Sequence, residues 1–81
     1  MAPGYERQLR ILITNMQDLL ASEHARNRVT AMHNIALGVW NVERQVIWAA
    51  RDAGMTWDEI ARVYGTSKQA MQQRFGSGGK P

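Results

Sequence analysis

Two short helices joined by a tight glycine turn, at residues 56–75, form the sequence feature that most constrains the fold. Thr56 and Glu59 have the spacing of a capping box, the reciprocal pair of hydrogen bonds that begins many helices. The apolar residues that follow recur on one face of a helix, and they are Trp57, Ile60, Ala61 and Tyr64. Gly65 comes next, at the place where a left-handed residue ends a helix with little steric cost.

A second capped helix is predicted after the glycine. Thr66 and Gln69 have the spacing of another capping box, and Met71 and Phe75 form an apolar pair at i and i+4. Two short helices joined in this way are typical of a helix-turn-helix, the unit that places its second helix in the DNA major groove. The sequence therefore predicts a helix-turn-helix over residues 55–76.

The outward face of the second helix, predicted over residues 67–75, has the chemistry of a major-groove reader. With Met71 and Phe75 turned inward, a rotation of about 100° per residue places Gln69, Gln72, Gln73 and Gly76 on the opposite side. A glutamine amide can pair bidentately with adenine, and cations on the two shoulders suit the flanking phosphates. The predicted DNA-binding residues are Arg62, Thr66, Ser67, Lys68, Gln69, Gln72, Gln73 and Arg74. The alternative is a plain solvated face, because glutamine is a good helix former and is commonly exposed.

Residues 47–76 contain a longer pattern that reads Ala-Ala-Arg, a short glycine turn, Thr-Trp-Asp-Glu-Ile, then Gly-Thr-Ser-Lys-Gln-Ala and a closing Arg-Phe. This pattern resembles small helix-turn-helix proteins of actinobacteria and their phages. That group is related in layout to the fourth region of sigma factors and to homeodomain-like folds. The resemblance implies DNA binding and usually transcriptional control. Thr66 departs from the pattern, since an apolar residue, often valine, usually stands at that place in the turn.

The distribution of charge agrees with a nucleic-acid partner. The chain carries a net charge of +3, yet all seven acidic residues lie at or before Glu59. The charged residues in 60–81 are all cations, namely Arg62, Lys68, Arg74 and Lys80. A basic end on a nearly neutral body suits a polyanion, and double-stranded DNA is the predicted partner.

The residues upstream of the helix-turn-helix are predicted to be helical. An amphipathic stripe over residues 5–20 consists of Leu9, Leu12, Ile13, Met16, Leu19 and Leu20. A long central helix is expected over residues 23–53. Gly38 is its weak point, because glycine costs about 1 kcal/mol against alanine in a helix interior. The alternative is two helices that divide at Gly38, with Asn41 as the N-cap of the second.

The central helix carries apolar residues at heptad spacing, with steps of three and four along Met32, Ile35, Val39, Val42, Val46 and Ala49. This stripe is wider than packing within so small a chain requires, and a short helical chain often gains buried area from a second copy. We therefore predict a homodimer formed through residues 5–53. The alternative use of this surface is within the chain, where the first helix and the helix-turn-helix pair would pack against the central helix. The predicted dimer contacts are Met32, Ile35, Val39, Trp40, Val42 and Val46.

The predicted fold class is all-α, with an N-terminal helix and a long central helix followed by the C-terminal helix-turn-helix. At 81 residues the chain is expected to be one domain, with a mobile lead at residues 1–4 and a flexible tail at residues 77–81. No apolar run is long enough for a membrane span, and no signal peptide is evident. A cytoplasmic, nucleoid-associated protein with no membrane partner is expected.

Enzyme chemistry, a cofactor, a metal site and a small-molecule site are not predicted. The chain has no cysteine, and neither His24 nor His33 has an acidic residue at the i+3 or i+4 spacing of a helical metal site. The three tryptophans, Trp40, Trp48 and Trp57, lie in or beside apolar stripes and are expected in a core or an interface.

Two classes of function remain after these exclusions. The first is a sequence-specific DNA-binding protein, a small transcriptional regulator that reads the major groove. The second is a helical module that binds another protein, as some sigma-factor partners do. A recombination-accessory DNA-binding factor of a mobile element is a variant of the first class.

Overall fold

The computed structural model describes residues 4–76, and all regular structure in that range is helical. The elements in chain order are α1 (Glu6–Ala21), α2 (Ala25–Asp52), α3 (Trp57–Tyr64), α4 (Lys68–Met71) and a π-helical turn (Gln72–Gly76) that continues α4. The predicted all-α class is confirmed. The predicted flexible tail, and all of the predicted mobile lead except Gly4, lie outside the described residues. Within the described range, no helix is both long and apolar enough to cross a membrane.

The long central helix is continuous. α2 passes through Gly38 without interruption, so a single helix is correct and the division at Gly38 is not. A Cβ atom added at Gly38 would lie 2.6 Å from Cδ2 of Leu12 on α1. A larger residue at position 38 would require the Leu12 side chain to move.

The chain divides into two compact units, Met1–Glu43 and Arg44–Pro81, and each has a core of its own. In the first unit α1 and α2 are joined by only three residues, which makes them an antiparallel hairpin. The core of this hairpin consists of Leu12, Ile35 and Val42, with Tyr5 and Leu19 packed against it.

This core corrects part of the predicted dimer surface. Ile35 and Val42, two of the predicted dimer contacts, are buried against Leu12 within the same chain. A heptad pattern shows that a helix packs against another helix, but it does not show whether that helix belongs to the same chain. The other predicted contacts are exposed, and they are Met32, Val39, Trp40 and Val46.

The core of the second unit lies among the end of α2, α3 and α4. Its buried residues are Ile47, Trp57, Ile60, Ala61, Met71 and Phe75, with Trp48 and Met55 packed against them. Trp48 and Trp57 meet edge to face, with ring centroids 5.8 Å apart. The predicted core placement is thus confirmed for these two tryptophans, whereas Trp40 is 57% exposed.

Candidate nucleic-acid interface

The first helix of the candidate site, α3, begins and packs as the sequence predicts. Thr56 Oγ1 accepts a hydrogen bond from the Glu59 backbone N–H at 3.1 Å, and the Thr56 N–H donates to Glu59 Oε1 at 3.2 Å. The capping box is therefore confirmed. Trp57, Ile60 and Ala61 are buried, as expected for one apolar face. Tyr64, the last residue of that face, lies at its edge and packs its ring against Phe75 with the centroids 6.1 Å apart.

The turn between α3 and α4 is built on a left-handed glycine. Gly65 has φ 67° and ψ 34°, which confirms its predicted role. Its N–H donates to the Arg62 carbonyl at 3.3 Å, and the Thr66 N–H donates to the Ala61 carbonyl at 3.0 Å. This pair of bonds is a Schellman motif, and it fixes the direction in which the chain enters α4.

The N-cap of α4 is Ser67, so the capping box predicted for Thr66 and Gln69 was wrong. Ser67 Oγ accepts a hydrogen bond from the Ala70 N–H at 3.1 Å. The backbone of Thr66 belongs to the preceding Schellman motif, which moves the start of α4 one residue along the chain.

These two neighbouring hydroxyl residues give a matched test of the cap. Ser67→Ala should lower the free energy of unfolding by about 1 kcal/mol, because it leaves a backbone N–H at the helix start without its acceptor. Thr66→Ala should change it by less than about 0.5 kcal/mol, since Thr66 is exposed and its backbone bond is retained. Urea unfolding followed by circular dichroism measures both. Equal losses, or a larger loss at Thr66, would contradict the assignment.

The 68–76 segment, α4 with its π-turn, has one face fixed in the core. Met71 and Phe75 are each only 1% exposed. The Trp48 indole N–H donates to the Phe75 carbonyl at 3.2 Å, which ties the end of the segment to α2. The opposite face is therefore presented in a defined orientation.

The three predicted base-reading glutamines, Gln69, Gln72 and Gln73, are all exposed. Gly76, which was predicted to lie beside them, instead faces inward, and a Cβ added there would lie 3.7 Å from Cζ2 of Trp57. The π-turn explains this difference, because its i→i+5 hydrogen bonds rotate the chain by less per residue than an α-helix does.

The predicted phosphate contacts are exposed, like the glutamines. Arg62, Lys68 and Arg74 are exposed, as are Thr66 and Ser67. The Arg74 guanidinium carbon lies 4.9 Å from the Phe75 ring centroid and 5.8 Å from that of Tyr64. Contact with two aromatic rings restricts where this charge can lie. Residues 60–76 contain no aspartate or glutamate.

The sequence predicts Trp48 in a core or an interface, but the supporting contacts that Trp48 and Arg51 make from the end of α2 were not predicted. Arg51 places its guanidinium 4.8 Å above the Trp57 ring and donates from Nη1 to the Met55 carbonyl at 3.1 Å. Both residues help to hold α3 and the 68–76 segment in position. The available signal was the indole N–H of Trp48, which needs a partner when it is buried.

In the part of the chain that the structure describes, no group of three or more histidine, cysteine, aspartate or glutamate side chains is arranged to hold a metal ion. Comparison of the chain with protein-family models, with curated proteins and with solved structures found no significant match.

Proposed function

We propose that the protein is a sequence-specific DNA-binding protein, a small transcriptional regulator, in which α3 and the 68–76 segment act as a helix-turn-helix. The observation that carries this proposal is the division of the 68–76 segment into two faces. One face is locked in the core by Met71 and Phe75, and the other presents glutamines between cations. A rigidly held helix with such a face has the properties of a recognition helix in the major groove.

The residues of this face take different roles in the proposal. Gln69, Gln72 and Gln73 read base edges, each with a donor and an acceptor on one flat amide that matches adenine N6 and N7. Lys68 and Arg74 contact the phosphates on the two sides of the groove, and Arg62 assists from α3. The hydroxyls of Thr66 and Ser67 lie at the start of the segment, where they can reach the sugar–phosphate backbone.

We further propose that the protein acts as a homodimer in the nucleoid. Two copies related by a two-fold axis place two recognition helices on half-sites one DNA turn apart. Linking two weak half-site contacts raises the overall affinity without any new contact, because the second binding step becomes intramolecular.

The salt dependence of DNA affinity tests the phosphate contacts. Lys68→Ala and Arg74→Ala should each weaken binding to all duplexes alike and reduce the slope of log K against log salt by about 0.9 per lost phosphate contact. Fluorescence anisotropy with a labelled duplex, between about 50 and 200 mM salt, measures the slope. Arg7→Ala on α1 is the control and should leave it unchanged.

Two outcomes would contradict this proposal. Unchanged slopes in the Lys68 and Arg74 variants would place the phosphate contacts elsewhere on the protein. A wild-type protein without salt-dependent DNA affinity would overturn DNA binding altogether, and it would favour the helical protein-interaction module.

A further inference from the structure

The α1–α2 hairpin exposes more large apolar side chains than it buries. Its buried apolar residues are Leu12, Ala31, Ile35 and Val42. Its exposed ones include Leu9, Ile13, Met16 and Leu20 on α1, and Val29, Met32 and Val39 on α2. The exposed fractions of these seven residues range from 38% to 86%. Two helices bury only the seam between them and leave the sides of that seam open, so the core of the hairpin is small.

The exposed residues of the two helices lie on the same side of the hairpin. On α1, Ile13 directly follows the buried Leu12, and on α2, Met32 directly follows the buried Ala31. A step of one residue along an α-helix turns the side-chain direction by about 100°. In an antiparallel pair, the residues that follow the contact positions of the two helices therefore lie on the same side of the hairpin. The same relation holds along both helices. It gives a continuous hairpin apolar face of Leu9, Ile13, Met16, Leu20, Met32, Ala36 and Val39, which Val29 extends by one further turn of α2 and Glu43 ends on the other side.

The other side of the hairpin has a different composition. The seam between the helices runs along positions 8, 12, 15 and 19 of α1 and 31, 35, 38 and 42 of α2, which are the contact positions. The residues that precede them are Arg7, Ile11, Thr14 and Asp18 on α1, and Thr30, Asn34, Leu37 and Asn41 on α2. Six of these eight residues are polar or charged, whereas among the eight residues that follow the same contact positions only Glu43 is polar or charged. The hairpin as a whole is therefore amphipathic, with one side suited to water and one side suited to a partner.

The size of the hairpin apolar face matches one half of a dimer interface. At their fractional exposures, its side chains leave on the order of 700 Å² of apolar surface, close to the ~800 Å² that each partner contributes to a standard interface. Monomeric proteins rarely expose so large an apolar patch. A second copy of this chain presents an apolar face of the same length and area, and it is the occupant that this match favours.

We propose that two hairpins pack through their hairpin apolar faces to form a two-fold symmetric four-helix bundle. Such an interface is isologous, since each copy contributes the same face. This inference rests on the homodimer of the proposed function and adds the surface through which that dimer forms. Half of that surface belongs to α1. Ile35 and Val42 stay in the core of each copy. The test contains no DNA, so its failure and the failure of DNA binding are separate results.

A matched pair of substitutions on α1 tests the face. Ile13 is 54% exposed on the hairpin apolar face, and Ile11 is 52% exposed on the other side. Glutamate is a good helix former and either exposed position accepts it in a monomer. In the bundle, Ile13→Glu buries an unpaired carboxylate on each copy and should raise the dimer dissociation constant on the order of 100-fold or more. Ile11→Glu should leave that constant unchanged.

Sedimentation of the full chain at high micromolar concentration measures both variants and the wild type. We expect twice the chain mass of 9.2 kDa for the wild type and for Ile11→Glu, and dissociation for Ile13→Glu. A second measurement uses the wild type alone, so it does not depend on whether a variant folds. The thermal midpoint of a dimer rises with protein concentration, and we expect this for the wild type. A wild type that stays monomeric with a constant midpoint overturns the proposal, and leaves the face for helices of another protein. Equal dissociation of the two variants also overturns it.

Discussion

Phe75→Ala is expected to lower the free energy of unfolding by about 3–5 kcal/mol, enough to remove most of the stability of a small domain. Phe75 is buried in one core with Ile60 and Met71, and its ring also packs against Tyr64. Truncation leaves a cavity that this short segment cannot close by moving, since its backbone carbonyl is bound to the Trp48 indole.

Urea unfolding followed by circular dichroism measures this loss. Gln72→Ala is the matched control on the same turn, because Gln72 is exposed and should change the free energy of unfolding by less than about 0.5 kcal/mol. A loss below about 1 kcal/mol for Phe75→Ala would show that the 68–76 segment is not packed as described. The proposed DNA contact would then lose its rigid support.

Replacing Gln69, Gln72 and Gln73 together by alanine should remove most of the discrimination between target and random DNA. Each bidentate pair with a base is worth about 1–3 kcal/mol of discrimination, so the combined loss extends over several orders of magnitude in affinity. Binding to random DNA at low salt should persist, because Lys68 and Arg74 remain in place. Folding should also persist, since all three glutamines are exposed and alanine has the higher helix propensity.

Anisotropy titrations with a target duplex and a scrambled duplex measure this discrimination. Gln17→Ala is the control, since Gln17 is an exposed glutamine on α1, outside the proposed contact. If the triple variant keeps the wild-type ratio of affinities for the target and the scrambled duplex, the glutamines do not read bases.

The parts of the site that the sequence predicts correctly depend on local interactions. The Thr56–Glu59 capping box and the left-handed Gly65 each involve residues at most a few positions apart. The inward placement of Met71 and Phe75 follows from helical periodicity in the same way. Such features are set by backbone geometry, and they hold in any helix with these residues.

The parts that the sequence predicts wrongly depend on interactions with other elements. Thr66 and Ser67 can both cap a helix, and the Schellman bond from Thr66 to Ala61 decides between them. The inward position of Gly76 depends on the π-turn. A helical wheel for an ordinary α-helix does not contain that turn.

The same dependence on other elements limits what the sequence predicts about the packing of α2. The heptad spacing of α2 predicts a packed helix correctly, but Ile35 packs within its own chain, and the sequence gives no sign of that choice. Gly38 suggests a break because glycine weakens helices. The position of Leu12 beside it shows that α1 packs closely against α2 at this glycine.

Sequence-specific DNA binding is tested most directly by selection from a pool of randomised duplexes, followed by titration of the enriched duplex against the starting pool at several salt concentrations. We expect an enriched common sequence that contains adenines at the read positions, and an affinity for it that falls linearly in log K against log salt. We also expect the enriched duplex to bind at least about 10³ times more tightly than the pool. No enriched sequence, together with no salt-dependent affinity for any duplex, would contradict the proposed function.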